Sequence, residues 1–200
     1  MEFLIESTRL KNSLNSIGRV ISGNPAVPVL GGVKMEAARN RLVMTGGDSD
    51  ISIVKKIDLQ EAEAGEIIES GTLVVPIKYF HDLIKKMPNE SQIKIKKINK
   101  QIKITCEEIE TTINILNEEE YPALPSVPAN GGVRIKGSLL MEMIKETQFA
   151  VSKSDSRAVL TGVNWLFSEN QLTLIATNSQ RMALRKTALE TSLQVHLLFL

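Results

Sequence analysis

The chain is poor in the residues that most often carry chemistry. Its 200 residues include one cysteine, one tryptophan and two histidines, and aromatic residues make up 4%. A lone Cys106 cannot close an internal disulfide, and Glu107 and Glu108 beside it would oppose a thiolate, so it reads as an inert strand thiol. His81 and Asp82 are neighbours on a helical stretch, where adjacent side chains do not face each other, so they do not form a dyad. His196 sits in an off-pattern tail. No phosphate-binding loop, dinucleotide fingerprint or zinc spacing is present. No cofactor, no metal and no catalytic residue is therefore expected. Trp165 and Tyr121 are too isolated to make a base-stacking platform. The start lacks a basic, then apolar leader, and no apolar run approaches a membrane span, Leu197–Leu200 being far too short. A cytoplasmic location is the expectation. Lys plus Arg number 24 against 23 Asp plus Glu, which excludes nucleic-acid binding by sheer excess of positive charge but leaves room for a local basic face.

What the sequence does contain is a repeat. Phe3, Leu10, Leu14 and Ile17 set a spacing that returns at Leu73, Phe80, Ile84 and Met87, and again at Val133, Leu140, Ile144 and Thr147. Apolar residues at i, i+4 and i+7 line one helix face, so each copy reads as a strand, a tight turn and an amphipathic helix. Hairpins follow each helix at Asn40–Thr45, Lys100–Thr105 and Asn170–Ile175. A recurring unit of this length fixes the architecture before any motif does. The fold class is α+β: a strand, a helix and three antiparallel strands, used three times, with helices on one face of the sheets.

In order along the chain, Thr8 is the expected N-cap of a helix over 9–20, and strands follow over 33–37, 41–45 and 51–57. An acidic, Ala-rich connection at 61–65 leads to a strand over 72–76 and a helix over 77–87, which Pro88 stops. Isoleucine-rich alternating strands occupy 93–115, with lysines on the wet face. Charge is segregated: eight lysines lie within Lys78–Lys103, and Glu107–Glu120 is acidic. A Pro/Gly-rich stretch marks a boundary, giving a two-module domain over 1–126, a linker at 127–131 and one module over 132–200, with a helix over 138–151 and an off-pattern tail from about 188.

Asp48-Ser49-Asp50 could hold a divalent metal, and a metal-dependent nuclease or nucleotidyltransferase using Asp48 and Asp50 is the alternative function. Ser and Asp after Gly46-Gly47 are, however, ordinary turn chemistry, and no third ligand is evident.

Several stretches in shared order resemble the bacterial DNA polymerase III beta subunit, the sliding clamp, over roughly residues 1 to 190. They are Pro28-Val29-Leu30, Thr45-Gly46-Gly47-Asp48-Ser49-Asp50-Ile51-Ser52-Ile53, Val75-Pro76, Glu119-Glu120-Tyr121-Pro122-Ala123-Leu124-Pro125, Phe149-Ala150-Val151-Ser152, Arg157 with Leu160-Thr161-Gly162-Val163, and Ala176-Thr177-Asn178-Ser179-Gln180-Arg181-Met182-Ala183-Leu184. The resemblance implies the DNA clamp fold: three similar two-module domains per subunit, helices inside and sheets outside, and two subunits closed head to tail around duplex DNA. It implies a processivity factor, a non-catalytic subunit of the polymerase III holoenzyme, working in the bacterial cytoplasm at the nucleoid. Implied partners are double-stranded DNA, the polymerase alpha subunit, the clamp loader, and repair polymerases and mismatch-repair proteins carrying linear peptide motifs.

Carried over by position, the resemblance places DNA-facing residues at Lys11, Arg19, Asn24, Lys85, Lys86, Lys145, Lys153, Ser154 and Arg157. The family's loop contacts also fall on Ala158 and Val159, so its loop positions here include no charge at 24, 154, 158 and 159. The partner-peptide pocket falls on Leu160, Thr177, Arg181 and Met182, with Asn178 and Gln180 where the family usually has Asp and His. The dimer edge falls on the strand bearing Thr111 and Ile113. Because the family chain is nearly twice as long, the resemblance implies a C-terminally truncated chain with an incomplete central domain, unable to encircle DNA by itself.

Overall fold

The structure, a computed structural model, describes residues 1–48, 50–60, 64–123, 133–168, 170–189 and 195–199. Two compact units emerge, Met1–Pro125 and Ser126–Leu200. Ser49, the connection at 61–63, Leu124, Pro125, the expected linker at 127–131 and residues 191–194 lie outside the described residues.

In the first unit, β1 (Glu2–Glu6) runs directly into α1 (Ser7–Ile17). The helix begins two residues earlier than the sequence suggests, and Thr8 lies inside it. Glu6 is the capping position without a side-chain bond, and the Ser7 hydroxyl instead donates to the Pro88 carbonyl at 2.5 Å. Gly18 ends the helix, short of the expected Val20, with its N–H on the Leu14 carbonyl. Strands β2 (Gly32–Ala38), β3 (Arg41–Gly47) and β4 (Ser52–Asp58) follow as a meander. Then come β5 (Gly65–Glu69), β6 (Gly71–Pro76), α2 (Ile77–Lys86), β7 (Gln92–Ile98), β8 (Gln101–Cys106) and β9 (Ile109–Asn114).

Hydrogen bonding crosses the modules. The first sheet has the order β5-β1-β7-β8-β9, and the second β4-β3-β2-β6. The opening strand of each module thus joins the sheet of the other: β1 pairs with β7, and β6 with β2. One core results, in which Phe3, Leu10, Leu14, Ile17, Leu73, Phe80 and Ile84 are all fully buried. α1 lies beside α2, joined by the His81 Nε2 to Asn15 Oδ1 contact at 2.8 Å. Gly46 lets α1 settle onto β3, since a Cβ there would stand 2.3 Å from Ile17 Cγ2. β5 is not legible in the sequence. Its Gly65 passes so close to β1 that a Cβ would sit 2.0 Å from the Leu4 carbonyl oxygen, and Glu66 and Glu69 mask the strand's apolar content.

The second unit holds α3 (Gly137–Thr147), β10 (Val163–Ser168), β11 (Gln171–Thr177), β12 (Met182–Ala188) and β13 (Val195–Phe199) in the order β12-β11-β10-β13. Two expectations change here. Val133–Lys136 is not a strand: in the first unit the opening strand is held between β5 and β7, and among the described residues no strand pairs with this segment. The tail expected to be off-pattern contains β13, paired antiparallel with β10, Val163 opposite Phe199 and Phe167 opposite Val195. That is the place β6 takes beside β2, so β13 stands where a fourth opening strand belongs. Leu140 and Ile144 are half-exposed, unlike Leu10 and Leu14 in α1, because among the described residues nothing packs on α3 as α2 packs on α1. Arg185 of β12 fastens α3 from the other side, its Nε 2.9 Å from Glu146 and its guanidinium 3.7 Å from Glu142.

Candidate functional site

On the helix pair of the first unit, the expected DNA-facing residues differ in what they do. Lys11 is half-buried and its ammonium donates to the Met87 carbonyl at 2.6 Å and to Asn89 Oδ1 at 2.7 Å. It caps the carboxyl end of α2, a task that spacing does not reveal. Lys85 and Lys86 occupy the last turn of α2, exposed and without an ion pair among the described residues, where the helix dipole favours positive charge. Arg19 is exposed just after α1, and Asn24 lies exposed in the loop beyond, its N–H on the Ser22 hydroxyl at 3.3 Å.

In the second unit, Lys145 is exposed in the last turn of α3. Lys153, Ser154 and Arg157 are exposed in the loop that follows, which includes the 3-10 segment Asp155–Leu160. The Ser154 hydroxyl caps that segment through the Ser156 N–H.

Thr177, Arg181 and Met182 come together at the β11–β12 turn. Asn178 Oδ1 accepts from the N–H groups of Gln180 (3.1 Å) and Arg181 (3.0 Å), Ser179 takes a left-handed φ of 75°, and the Thr177 hydroxyl donates to the Arg181 carbonyl at 2.8 Å. Asn178 therefore acts within the turn itself. Thr177 and Met182 are strand partners, and antiparallel pairing puts the start of β10 at the same end of the sheet. Leu160, which closes the segment leading into β10, thereby reaches that end. Its carbonyl accepts from the Ser152 N–H at 2.8 Å.

One further residue belongs to this surface. Phe149 is 57% exposed, and the Arg181 guanidinium lies 5.7 Å from its ring centroid, a cation–π contact. A matched stretch, Phe149-Ala150-Val151-Ser152, was the available signal, but nothing in spacing joins Phe149 to Arg181. Met182 (67%), Val159 (64%) and Leu184 (47%) extend the exposed apolar surface. A separate cavity of about 370 Å³ beside α3, lined by Ile144, Gln148, Val151, Thr161, Gly162, Val163 and Trp165, includes none of the four pocket residues.

Thr111 and Ile113 lie half-buried on β9, the outermost strand of the first sheet. Asp48 is committed to its own turn. Asp48 Oδ1 accepts from the N–H groups of Asp50 and Ile51, both at 2.9 Å, and these bonds hold its carboxyl below the usual range. The turn has the same construction as that at Asn178. Among the described residues no group of three or more His, Cys, Asp or Glu side chains clusters in the manner of a metal site.

Compared with known families, residues 1–125 match the N-terminal domain of the DNA polymerase III beta subunit, and residues 134–198 its central domain. The chain belongs to the DNA polymerase III beta subunit family. A protein named beta sliding clamp from Staphylococcus epidermidis is 39% identical over 196 residues, covering 95% of this chain and 51% of the relative. The chain thus spans about half the length of the curated relatives it matches. The crystal structure of the sliding clamp from Bacillus subtilis superposes with a TM-score of 0.95 at 33% identity, covering 99% of this chain and 53% of the other. A Pseudomonas aeruginosa clamp bound to griselimycin superposes with a TM-score of 0.88 at 24% identity, again covering 99% and 53%. Sheet topology and these superpositions agree on the α+β clamp fold of the beta subunit family.

Proposed function

We propose that this chain serves as the first domain and the first part of the second domain in a sliding clamp, a ring that encircles duplex DNA and tethers the replicative polymerase to it. The observation that carries the reading is the ordered match of both units to successive domains of one family. The role is non-catalytic: retention is topological, the helix faces need only weak attraction to phosphate, and no bond is made or broken. Arg19, Lys85, Lys86, Lys145, Lys153 and Arg157 supply that attraction, with Asn24 and Ser154 as uncharged loop contacts. Lys11 contributes mainly by holding the two helices together.

The surface around Leu160, Thr177, Arg181 and Met182 receives linear peptides from the polymerase alpha subunit, the clamp loader and repair proteins. Exposed apolar anchors beside a turn with fixed backbone polar groups suit an extended peptide. Thr111 and Ile113 lie on the edge that pairs with a second subunit. The place of work is the cytoplasm, at the nucleoid.

A primer-extension assay tests this reading. Adding the native protein, isolated from its own cells, with its loader should lengthen the product made per polymerase binding event while leaving single-nucleotide insertion unchanged. Griselimycin should bind the protein and block the stimulation, and a Met182→Glu variant should lose both effects. Product length indifferent to the protein would overturn the proposal.

A further inference from the structure

On β6 three consecutive residues, Leu73, Val74 and Val75, are all fully buried. Leu73 and Val75 point into the main core, so Val74, by strand alternation, points to the opposite face of the second sheet. What buries it there is a separate cluster of Val29, Leu30 and Tyr121, with Leu116 packed against it. Leu116 and Tyr121 come from the segment after β9.

This segment meets the sheet as a docked peptide would. The Leu116 N–H donates to the Val74 carbonyl at 2.8 Å in an isolated antiparallel bridge, extending β6 at the edge of its sheet. The Leu116 side chain lies over Gly32, where a Cβ would stand 2.9 Å from its Cδ1. Five residues on, Tyr121 is 8% exposed and its hydroxyl donates to the Thr45 carbonyl at 3.3 Å. Between these anchors Glu118 pairs with Lys97 at 2.9 Å, and Lys100 lines the same hollow as Glu118 and Glu119.

Among the described residues, the second unit shows the corresponding lead-in segment exposed. Pro28-Val29-Leu30-Gly31-Gly32-Val33 corresponds to Ala158-Val159-Leu160-Thr161-Gly162-Val163, each leading into its meander. Val29 and Leu30 are 3% and 7% exposed, whereas Val159 is 64% exposed and Leu160 half-exposed. The strands are alike in pairing, so among the described residues the difference lies in the cover that Leu116 and Tyr121 supply in the first unit.

We propose that the outer face of the second sheet is a peptide-docking cradle whose occupant is the chain's own segment Leu116–Tyr121, held as a displaceable internal ligand. The cradle selects an aliphatic anchor, an acidic spacer and a tyrosine. This goes beyond the clamp reading and does not depend on what the second unit binds.

The test supplies the segment in trans. A Leu116→Ala/Tyr121→Ala variant of the whole protein is titrated with a synthetic peptide spanning Ile115–Ala123, with a Tyr121→Ala peptide as control. The native peptide should bind the variant saturably and about tenfold or more tighter than it binds the wild type, whose cradle is filled, and the control peptide should not. A folded variant that shows no saturable binding overturns the proposal. Hydrogen exchange on the wild type decides the matter should the variant fail to fold. The Leu116 amide should then exchange about tenfold or more faster than the β2–β6 ladder amides, by local release. Protection equal to that of the ladder would make the segment a permanent part of the core and the proposal wrong.

Discussion

Lys11 and Lys85 are both helix lysines of the first unit, yet among the described residues only Lys11 is tied down by side-chain hydrogen bonds. The Lys11 ammonium holds the α2 terminus through Met87 and Asn89, whereas Lys85 and Lys86 have no ion pair among the described residues. Replacing Lys11 by Gln should therefore cost about 1–2 kcal/mol of stability in urea unfolding with little change in the salt dependence of DNA binding. The Lys85→Gln/Lys86→Gln variant should do the opposite, lowering the salt slope by roughly 0.9 for each phosphate that is no longer neutralised. Equal slopes for both variants would remove α2 from the DNA-facing surface.

Glu2 carries a second residue-scale consequence. Its carboxylate bridges Lys94 at 2.7 Å and Lys96 at 2.8 Å, and these two bonds hold its pKa at about 2 against the ordinary 4.5. Folding thus disfavours protonation at Glu2, and the stabilisation is complete above the unfolded value near 4.5 and fades as pH falls toward 2. A Glu2→Gln variant should show a flatter dependence of the urea midpoint on pH across that window. An unchanged slope would mean that the Lys94–Glu2–Lys96 bridge is not formed in solution.

At the scale of elements, the helices and most strands were legible because their burial follows a simple period: Leu10, Leu14 and Ile17 mark α1, and alternating isoleucines mark β7 and β8. β13 was not legible, because Leu197, Leu198 and Phe199 are apolar in succession and show no alternation. Nor was the swap of opening strands, since periodicity gives a strand's faces and not its neighbour. The candidate pocket was half legible. Thr177 and Arg181 could be placed by their motif, but the stacking of Arg181 on Phe149 joins residues far apart in sequence. β9 shows what topology adds to a motif: Thr111 and Ile113 stand on the outermost strand of their sheet, whose outer edge, unpaired among the described residues, is the kind that can add another strand. Under the proposed pairing of β9 with a second subunit, an Ile113→Lys variant of the native protein should raise the dissociation constant of that assembly by about tenfold or more in sedimentation experiments, because a charge would be placed at the proposed junction. A dimer unaffected by this change would move the interface elsewhere.

At the scale of the molecule, both units follow one plan, a helix layer packed on antiparallel sheets, and both match successive domains of the beta subunit family. Near-neutral net charge fits a clamp, since a ring that is held by its closure can bind phosphate weakly and still remain on DNA. The central claim is that retention is topological. It is tested most directly by loading the native protein, isolated from its own cells, onto nicked circular duplex DNA, removing free protein and then cutting the circle once. Protein should stay with the intact circle and leave through the ends after the cut, whereas equal retention on circular and linear DNA would contradict the account.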